Sequence, residues 1–176
     1  MYEKTRDNLL AAFAGESQAR NKYTFFAAVA KKEGWLEIAE VFEETAKNEK
    51  EHAEVIFKLL GSLKDTAANL ETAIAGENYE ATDMYPEFAR IAREEGWGEA
   101  AKFFEEVSKV EAFHARRFQK LLEDLKAGRL LKKEEEIYWQ CRECGYIYRG
   151  TEPPLTCPVC SHPREYYKPY NGEVEP

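Results

Sequence analysis

Proline is scarce where it would matter most: of the seven in the 176-residue chain, only Pro86 falls between Glu3 and about Ala127. So long a stretch without helix breakers, dominated by Ala, Glu, Lys, Leu and Phe, has the composition of long amphipathic helices. An excess of basic residues is also lacking. Lys+Arg number 25 against 33 Asp+Glu, a formal net charge of -8, which argues against nucleic acid as a partner. No uninterrupted apolar run is longer than Phe25 to Ala30, far short of the ~20 residues that cross a bilayer, so no membrane span is expected. The opening Met1-Tyr2-Glu3-Lys4-Thr5-Arg6 has neither an apolar h-region nor a small-residue cleavage site, and a cytoplasmic location is expected. Cysteine is confined to Cys141–Cys160, in two Cys-x-x-Cys pairs. In a reducing compartment that clustering argues for a metal rather than disulfides. What remains is 44% hydrophobic and 13% aromatic, enough for a packed core.

Glycines punctuate the helical region. Gly34, Gly61, Gly96 and Gly128 each follow a periodic stretch, where a left-handed C-terminal cap belongs, and they divide it into four helices over roughly 4–32, 35–60, 67–95 and 98–127. The two halves repeat. Lys32-Glu33-Gly34-Trp35 matches Glu94-Glu95-Gly96-Trp97, and Ala39 to Glu44 matches Ala101 to Glu106, at an offset of 62; Ala14-Gly15-Glu16 matches Ala75-Gly76-Glu77 at 61. One residue has therefore entered the third helix between Glu77 and Tyr85, and a π-bulge or kink is expected there, helped by Pro86. After Gly128 a charged run, Lys132 to Glu136, leads into a segment rich in Cys, Tyr and Pro. The resulting division is 1–130 for the helical domain, 131–137 for a linker, 138–171 for a metal-stabilised module and 172–176 for a loose tail.

Two of the three histidines carry Glu three residues earlier, as Glu49-x-x-His52 and Glu111-x-x-His114, in repeat register. Residues i and i+3 share a helix face, so each pair can present a carboxylate and an imidazole to one point. A solvated helix face is the ordinary reading of a single Glu-x-x-His. Here Phe42, Thr45, Ile56 and Leu59 recur at helical spacing around the first motif, and Phe104, Val107, Phe118 and Leu121 around the second, which sets both on or beside apolar stripes. Buried carboxylates are costly unless paired or metal-bound, and little Lys or Arg is at hand. Helices one and three add Glu16 and Glu77 at matching Ala-Gly-Glu positions. One Glu from each of two helices plus Glu-x-x-His from each of the others is the donor set of ferritin-like di-iron and di-manganese bundles.

With those residues in place, the chain resembles the rubrerythrins along essentially its whole length. The family has a further carboxylate in the third helix, and Glu80 matches it, beside the inserted residue. The resemblance implies a mainly α fold, a ferritin-like four-helix bundle followed by a small rubredoxin-like four-cysteine metal domain. It implies two irons in the bundle: Glu49 and Glu111 bridging, Glu16 and Glu80 on one iron, Glu77 and His114 on the other, and His52 exchanging with Glu80 as the oxidation state changes. Tyr23 and Tyr85 match family tyrosines close to the site, where their hydroxyls could support ligand carboxylates; from the residues alone, ordinary core aromatics are the alternative.

Cys141, Cys144, Cys157 and Cys160 form two knuckles, a tetrathiolate signal that suits zinc or iron equally. The resemblance favours one iron, with Tyr138, Trp139, Tyr146, Tyr148 and Tyr166 as its apolar shell. Ser161 departs from the family, which usually has Gly after the last cysteine; a Cβ in a left-handed turn costs roughly 1 kcal/mol or more. His162 is read as a surface residue rather than a fifth ligand.

The function implied is a di-iron peroxide reductase acting on hydrogen peroxide, with electrons relayed through the tetrathiolate iron from a rubredoxin or an NAD(P)H-dependent flavoprotein. No Gly-x-Gly-x-x-Gly loop is present, so nicotinamide is used elsewhere. Iron handling or ferroxidase activity with a structural zinc ribbon is the alternative function, and a zinc-ribbon interaction module on a structural bundle a third. In a ferritin-like bundle helices two and three run in the same direction. At ~1.5 Å rise per residue, Leu60 lies ~16 Å below Glu49 and Ala67 ~15 Å above Glu77. Gly61 to Thr66 spans only ~20 Å of the ~30 Å required. A domain-swapped homodimer is therefore expected, the first hairpin of one chain packing with the second hairpin of the other.

Overall fold

All four punctuating glycines take the left-handed conformation, with φ of 87°, 67°, 79° and 67° at Gly34, Gly61, Gly96 and Gly128. In the computed structural model, which describes residues 3–172, each closes its helix with a paired bond. The Gly34 N–H donates to Lys31 O and the Trp35 N–H reaches back to Ala30 O, at 3.1 and 2.8 Å; Gly96 and Trp97 repeat this on Arg93 O and Ala92 O, at 3.1 and 2.8 Å. These bonds satisfy carbonyls that a helix end would otherwise orphan.

The helices are α1 (Glu3–Glu33), α2 (Leu36–Leu59), α3 (Thr66–Tyr79), α4 (Tyr85–Glu94) and α5 (Gly98–Lys126). The third expected helix is thus split. A π-helical turn, Glu80–Met84, separates α3 from α4 and falls between the two residues that bracket the change of repeat offset. Its wider ring frees backbone acceptors, and hydroxyls take them up. Thr82 Oγ1 donates to Asn78 O at 2.8 Å, and Ser108 Oγ, from α5, donates to Ala81 O at 2.9 Å. The repeat partner of Ser108 is Ala46, in the half that lacks the insertion.

Chain contacts divide the molecule into two compact units, Met1–Asp65 and Thr66–Pro176. In the first, α1 and α2 form a hairpin whose buried residues are all alanine: Ala27, Ala30, Ala39, Ala46 and Ala53. Small side chains let the two backbones approach closely. The second unit repeats the seam with Ala89, Ala92, Ala101 and Ala115, each 62 residues on from a counterpart. Larger apolar side chains point away from the seams; Phe25, Val41 and Leu59 are 65%, 57% and 60% exposed in the first hairpin, and Phe103 and Phe113 are 60% and 54% exposed in the second.

Downstream of α5, strands β1 (Ile137–Cys141), β2 (Ile147–Gly150) and β3 (Tyr167–Pro169) form an antiparallel sheet in the order β2-β1-β3. Trp139, Cys141, Cys157 and Tyr167 make its core, with Ile137, Tyr146 and Tyr148 packed against them. Trp139 is fully buried and its indole N–H donates to Gly150 O at 2.9 Å. One aromatic expectation is corrected. Tyr166 is 38% exposed and meets the His162 ring at a tilt of 52°, whereas its neighbour Tyr167 is 2% exposed, because β3 begins at Tyr167 and turns that side chain inward. Of the tail, residues 173–176 lie outside the described residues. Among the described residues no helix is long and apolar enough to cross a membrane.

Replacing Ser108 with Ala should cost about 1 kcal/mol in chemical denaturation, the value of a partly buried hydrogen bond plus an orphaned carbonyl. Ala46→Ser, at the matching position of the regular hairpin, should bring no comparable gain.

Candidate metal centres

A helix carries residues three apart on one face, and both Glu-x-x-His motifs use this. In the first hairpin His52 Nδ1 lies 2.8 Å from Glu49 Oε2, and Glu16, from α1, brings its Oε2 to 3.8 Å from the same nitrogen. In the second, His114 Nδ1 lies 2.7 Å from Glu111 Oε2 and 3.4 Å from Glu77 Oε2, the latter from α3. Each trio offers donor atoms all within 4.8 Å of one another. Glu49 and Glu111 are the most enclosed, with side chains 16% and 13% exposed, against 60% and 40% for the two histidines. The carboxylates therefore sit inside and the imidazoles at the rim.

Crowded carboxylates repel. Glu16 is raised above the ordinary carboxyl range, first by its hydrogen bond with Glu49, then by burial and by the Glu49 charge. Glu77 is raised by burial first and then by Glu111, both outweighing the nearby imidazole. A divalent cation relieves this repulsion and takes up carboxylate oxygen and imidazole nitrogen together, so the donors fit an iron site. Glu80 stands at the first residue of the π-turn, outside the Glu77 trio. Its charge is nevertheless felt by Tyr85, whose phenol is pushed up by burial and then by Glu80, Glu111 and Glu77. Tyr85 stacks on Phe104 at 5.9 Å and meets Phe88 edge-on at 6.3 Å; Tyr23 holds equivalent places against Phe42 and Phe26, at 6.0 and 6.3 Å. Among the described residues neither hydroxyl donates to a carboxylate, so the aromatic packing is what fixes both rings.

The four-cysteine module is internally symmetric. The Gly145 N–H donates to Cys141 O at 3.0 Å and the Ser161 N–H to Cys157 O at 2.9 Å; the Cys141 N–H donates to Tyr146 O and the Cys157 N–H to His162 O. Gly145 has φ 77° and Ser161 φ 61°, so the serine adopts the left-handed turn at its steric cost. Sγ of Cys141 and Cys160 lie 3.6 Å apart, as do those of Cys144 and Cys157, with all four free and within 4.8 Å. The spread of acidities marks a shared site. Burial opposes ionisation of Cys157, but the Tyr167 hydroxyl and the Cys160 and Val159 N–H groups hold it down to about 6. Cys160, despite a donor from the His162 N–H, is pushed up to about 12 by burial and the other sulfurs. One thiol thus ionises first and its neighbours resist, which a thiolate-binding metal resolves. His162 is half-buried with an unpartnered Nδ1, not a plain surface residue, and stays outside the sulfur group.

Ser108 and Tyr167 escaped the sequence reading. The Ala46/Ser108 exchange within the repeat was the available signal for the first; the second needed the position at which β3 begins.

A carboxyl with a raised folded-state pKa binds its proton more tightly when folded, so the metal-free protein loses stability as pH rises above the ordinary value of 4.5 through the raised one. Metal-free Glu77→Gln should therefore be more stable than the parent at pH 7 and lose that advantage at pH 4, read by thermal unfolding.

Comparison with known proteins agrees with this chemistry. The Rubrerythrin family model matches residues 7–122, and the model for the rubrerythrin rubredoxin-like domain matches 139–168. The rubrerythrin of Porphyromonas gingivalis is 50% identical over 94% of this chain and 90% of its own length. That of Nitratidesulfovibrio vulgaris is 45% identical over 94% and 93%. A solved nigerythrin structure, in a mixed-valence state, shares 35% identity over 94% of this chain and 86% of its own, at a TM-score of 0.38. A mainly helical chain that ends in a four-cysteine module, with a carboxylate–histidine trio on each hairpin, belongs to the rubrerythrin family.

Proposed function

We propose that the chain is a peroxide reductase that converts hydrogen peroxide to water at a di-iron site, drawing electrons through its tetrathiolate iron. The observation that carries this reading is the pair of carboxylate–histidine trios in repeat register, accompanied in the same chain by a four-sulfur site. Glu16, Glu49, His52, Glu77, Glu80, Glu111 and His114 would hold the two irons, with Tyr23 and Tyr85 beside them. When bound, two ferrous ions supply the two electrons of H2O2 + 2e⁻ + 2H⁺ → 2H2O.

The residues' own part is electrostatic and steric. The enclosed Glu49 and Glu111 set negative charge where cations are to sit, and the exposed imidazoles leave a side open to a small substrate. Phe42 and Phe104 wall the tyrosines in place. Each trio is an incomplete shell for an iron pair, and each hairpin leaves large apolar side chains uncovered. Packing a first hairpin against a second would complete both, and the connector from Gly61 to Thr66, too short to return along a bundle, favours doing so between two copies of the chain that exchange hairpins. Rubredoxin or an NAD(P)H-dependent flavoprotein is the proposed donor, and the cytoplasm the proposed location.

Anaerobic addition of one equivalent of peroxide to the fully reduced, iron-loaded protein tests the function. The tetrathiolate absorption should return as the sulfur-bound iron reoxidises; a spectrum that stays bleached contradicts the proposal. Cys144→Ser should keep iron in the helical region while peroxide turnover with the flavoprotein donor falls at least tenfold. Unchanged turnover would remove the relay role.

A further inference from the structure

Tyr167 is 2% exposed, and its hydroxyl is buried without a hydrogen-bond partner of standard geometry. Leaving a buried hydroxyl unpaired is unfavourable, and phenylalanine would fill the same apolar space without that penalty. The surroundings show what the hydroxyl can serve. Tyr167 shares its core cluster with Trp139, Cys141 and Cys157, the β1–β3 register pairs it with Cys141, and of the cluster's sulfurs Cys157 is the one whose acidity its hydroxyl affects. The indole N–H of Trp139 is already committed to Gly150 O, and it is in any case a donor, so it leaves the phenol no acceptor there. The acceptors that the cluster does offer are the sulfurs. A thiol accepts weakly, but a metal-bound thiolate carries the negative charge that makes it a good acceptor.

We propose that the Tyr167 hydroxyl donates a hydrogen bond to the Cys157 thiolate when the module holds its iron, and that this bond raises the reduction potential of the site. The inference rests on the reading of the module as a tetrathiolate iron centre. On one-electron reduction Fe³⁺ becomes Fe²⁺ with all four sulfurs retained, so the site gains one unit of negative charge. A donor aimed at a sulfur stabilises the more negative, reduced form more than the oxidised one. The backbone donors to the sulfurs, from Tyr146, Val159, Cys160 and His162, come with the knuckle turns themselves. Tyr167 adds a side-chain donor from a different strand, one that substitution can remove without disturbing those turns. It is a positioning residue: it acts on the iron through Cys157.

The test is a spectroelectrochemical titration of the tetrathiolate absorption in the full-length, iron-loaded protein, comparing parent, Tyr167→Phe and Tyr166→Phe. Tyr167→Phe should lower the ferrous-to-ferric ratio at a fixed applied potential about threefold to tenfold, a potential roughly 30 to 59 mV lower, with the iron content unchanged. Tyr166→Phe, its exposed neighbour, should leave the potential in place. A Tyr167→Phe potential equal to that of the parent overturns the inference while leaving the iron centre standing, whereas a parent protein without tetrathiolate colour overturns the centre itself. Should the variant not fold, parent protein loaded with ¹¹³Cd decides. A scalar coupling between the Tyr167 hydroxyl proton and cadmium through Cys157 supports the bond, and its absence beside visible couplings from the knuckle N–H groups refutes it.

Discussion

Carboxylates forced together on half-buried helix faces, with an imidazole at the rim, are the constraint on which the rest of this structure depends. Glu16 with Glu49, and Glu77 with Glu111, each crowd two carboxyl groups beside one histidine. Basic residues do not neutralise them: the ion pairs described on the helices, such as Lys31 with Glu43 and Lys58 with Glu54, lie on exposed faces. Exposed pairs contribute little. A bound dication turns the same crowding from a penalty into a binding site, so helix spacing, alanine seams and glycine caps serve to hold carboxylates that would otherwise drift apart.

Duplication explains the geometry, and its one departure is informative. Alanine seams, tyrosine–phenylalanine clusters and even the ion pairs Lys31–Glu43 and Arg93–Glu105 recur 62 residues apart. The second half adds a residue and accommodates it as a π-turn with Glu80 at its first position. A wider turn rotates the residues before it relative to those after it, so Glu77 and Glu80 no longer hold the α-helical register with Tyr85. Thr82 and Ser108 take up the carbonyls involved.

Much of this was legible in the residues. Helix ends came within one or two residues because glycine at C′ is a local signal, independent of tertiary context. The π-turn could be placed because the repeat supplied an internal ruler: a change of offset from 61 to 62 means one residue more in the second half than in the first. The two Glu-x-x-His pairs followed from i, i+3 spacing, and Glu16 and Glu77 from their matching Ala-Gly-Glu places in the repeat. What escaped were features set across space. Ser108 matters through Ala81, 27 residues away. The choice of Tyr167 over Tyr166 as the buried ring depends on where β3 starts against β1, which two adjacent tyrosines cannot reveal.

Iron is what the crowded donors are proposed to hold. Anomalous diffraction at the iron edge, on crystals of anaerobically loaded protein, tests it most directly. Two strong peaks among the oxygens and imidazole nitrogens of Glu16, Glu49, His52, Glu77, Glu80, Glu111 and His114, with a third amid the four sulfurs, are the expected result. Signal at the sulfurs alone, with none among the carboxylates, would contradict it.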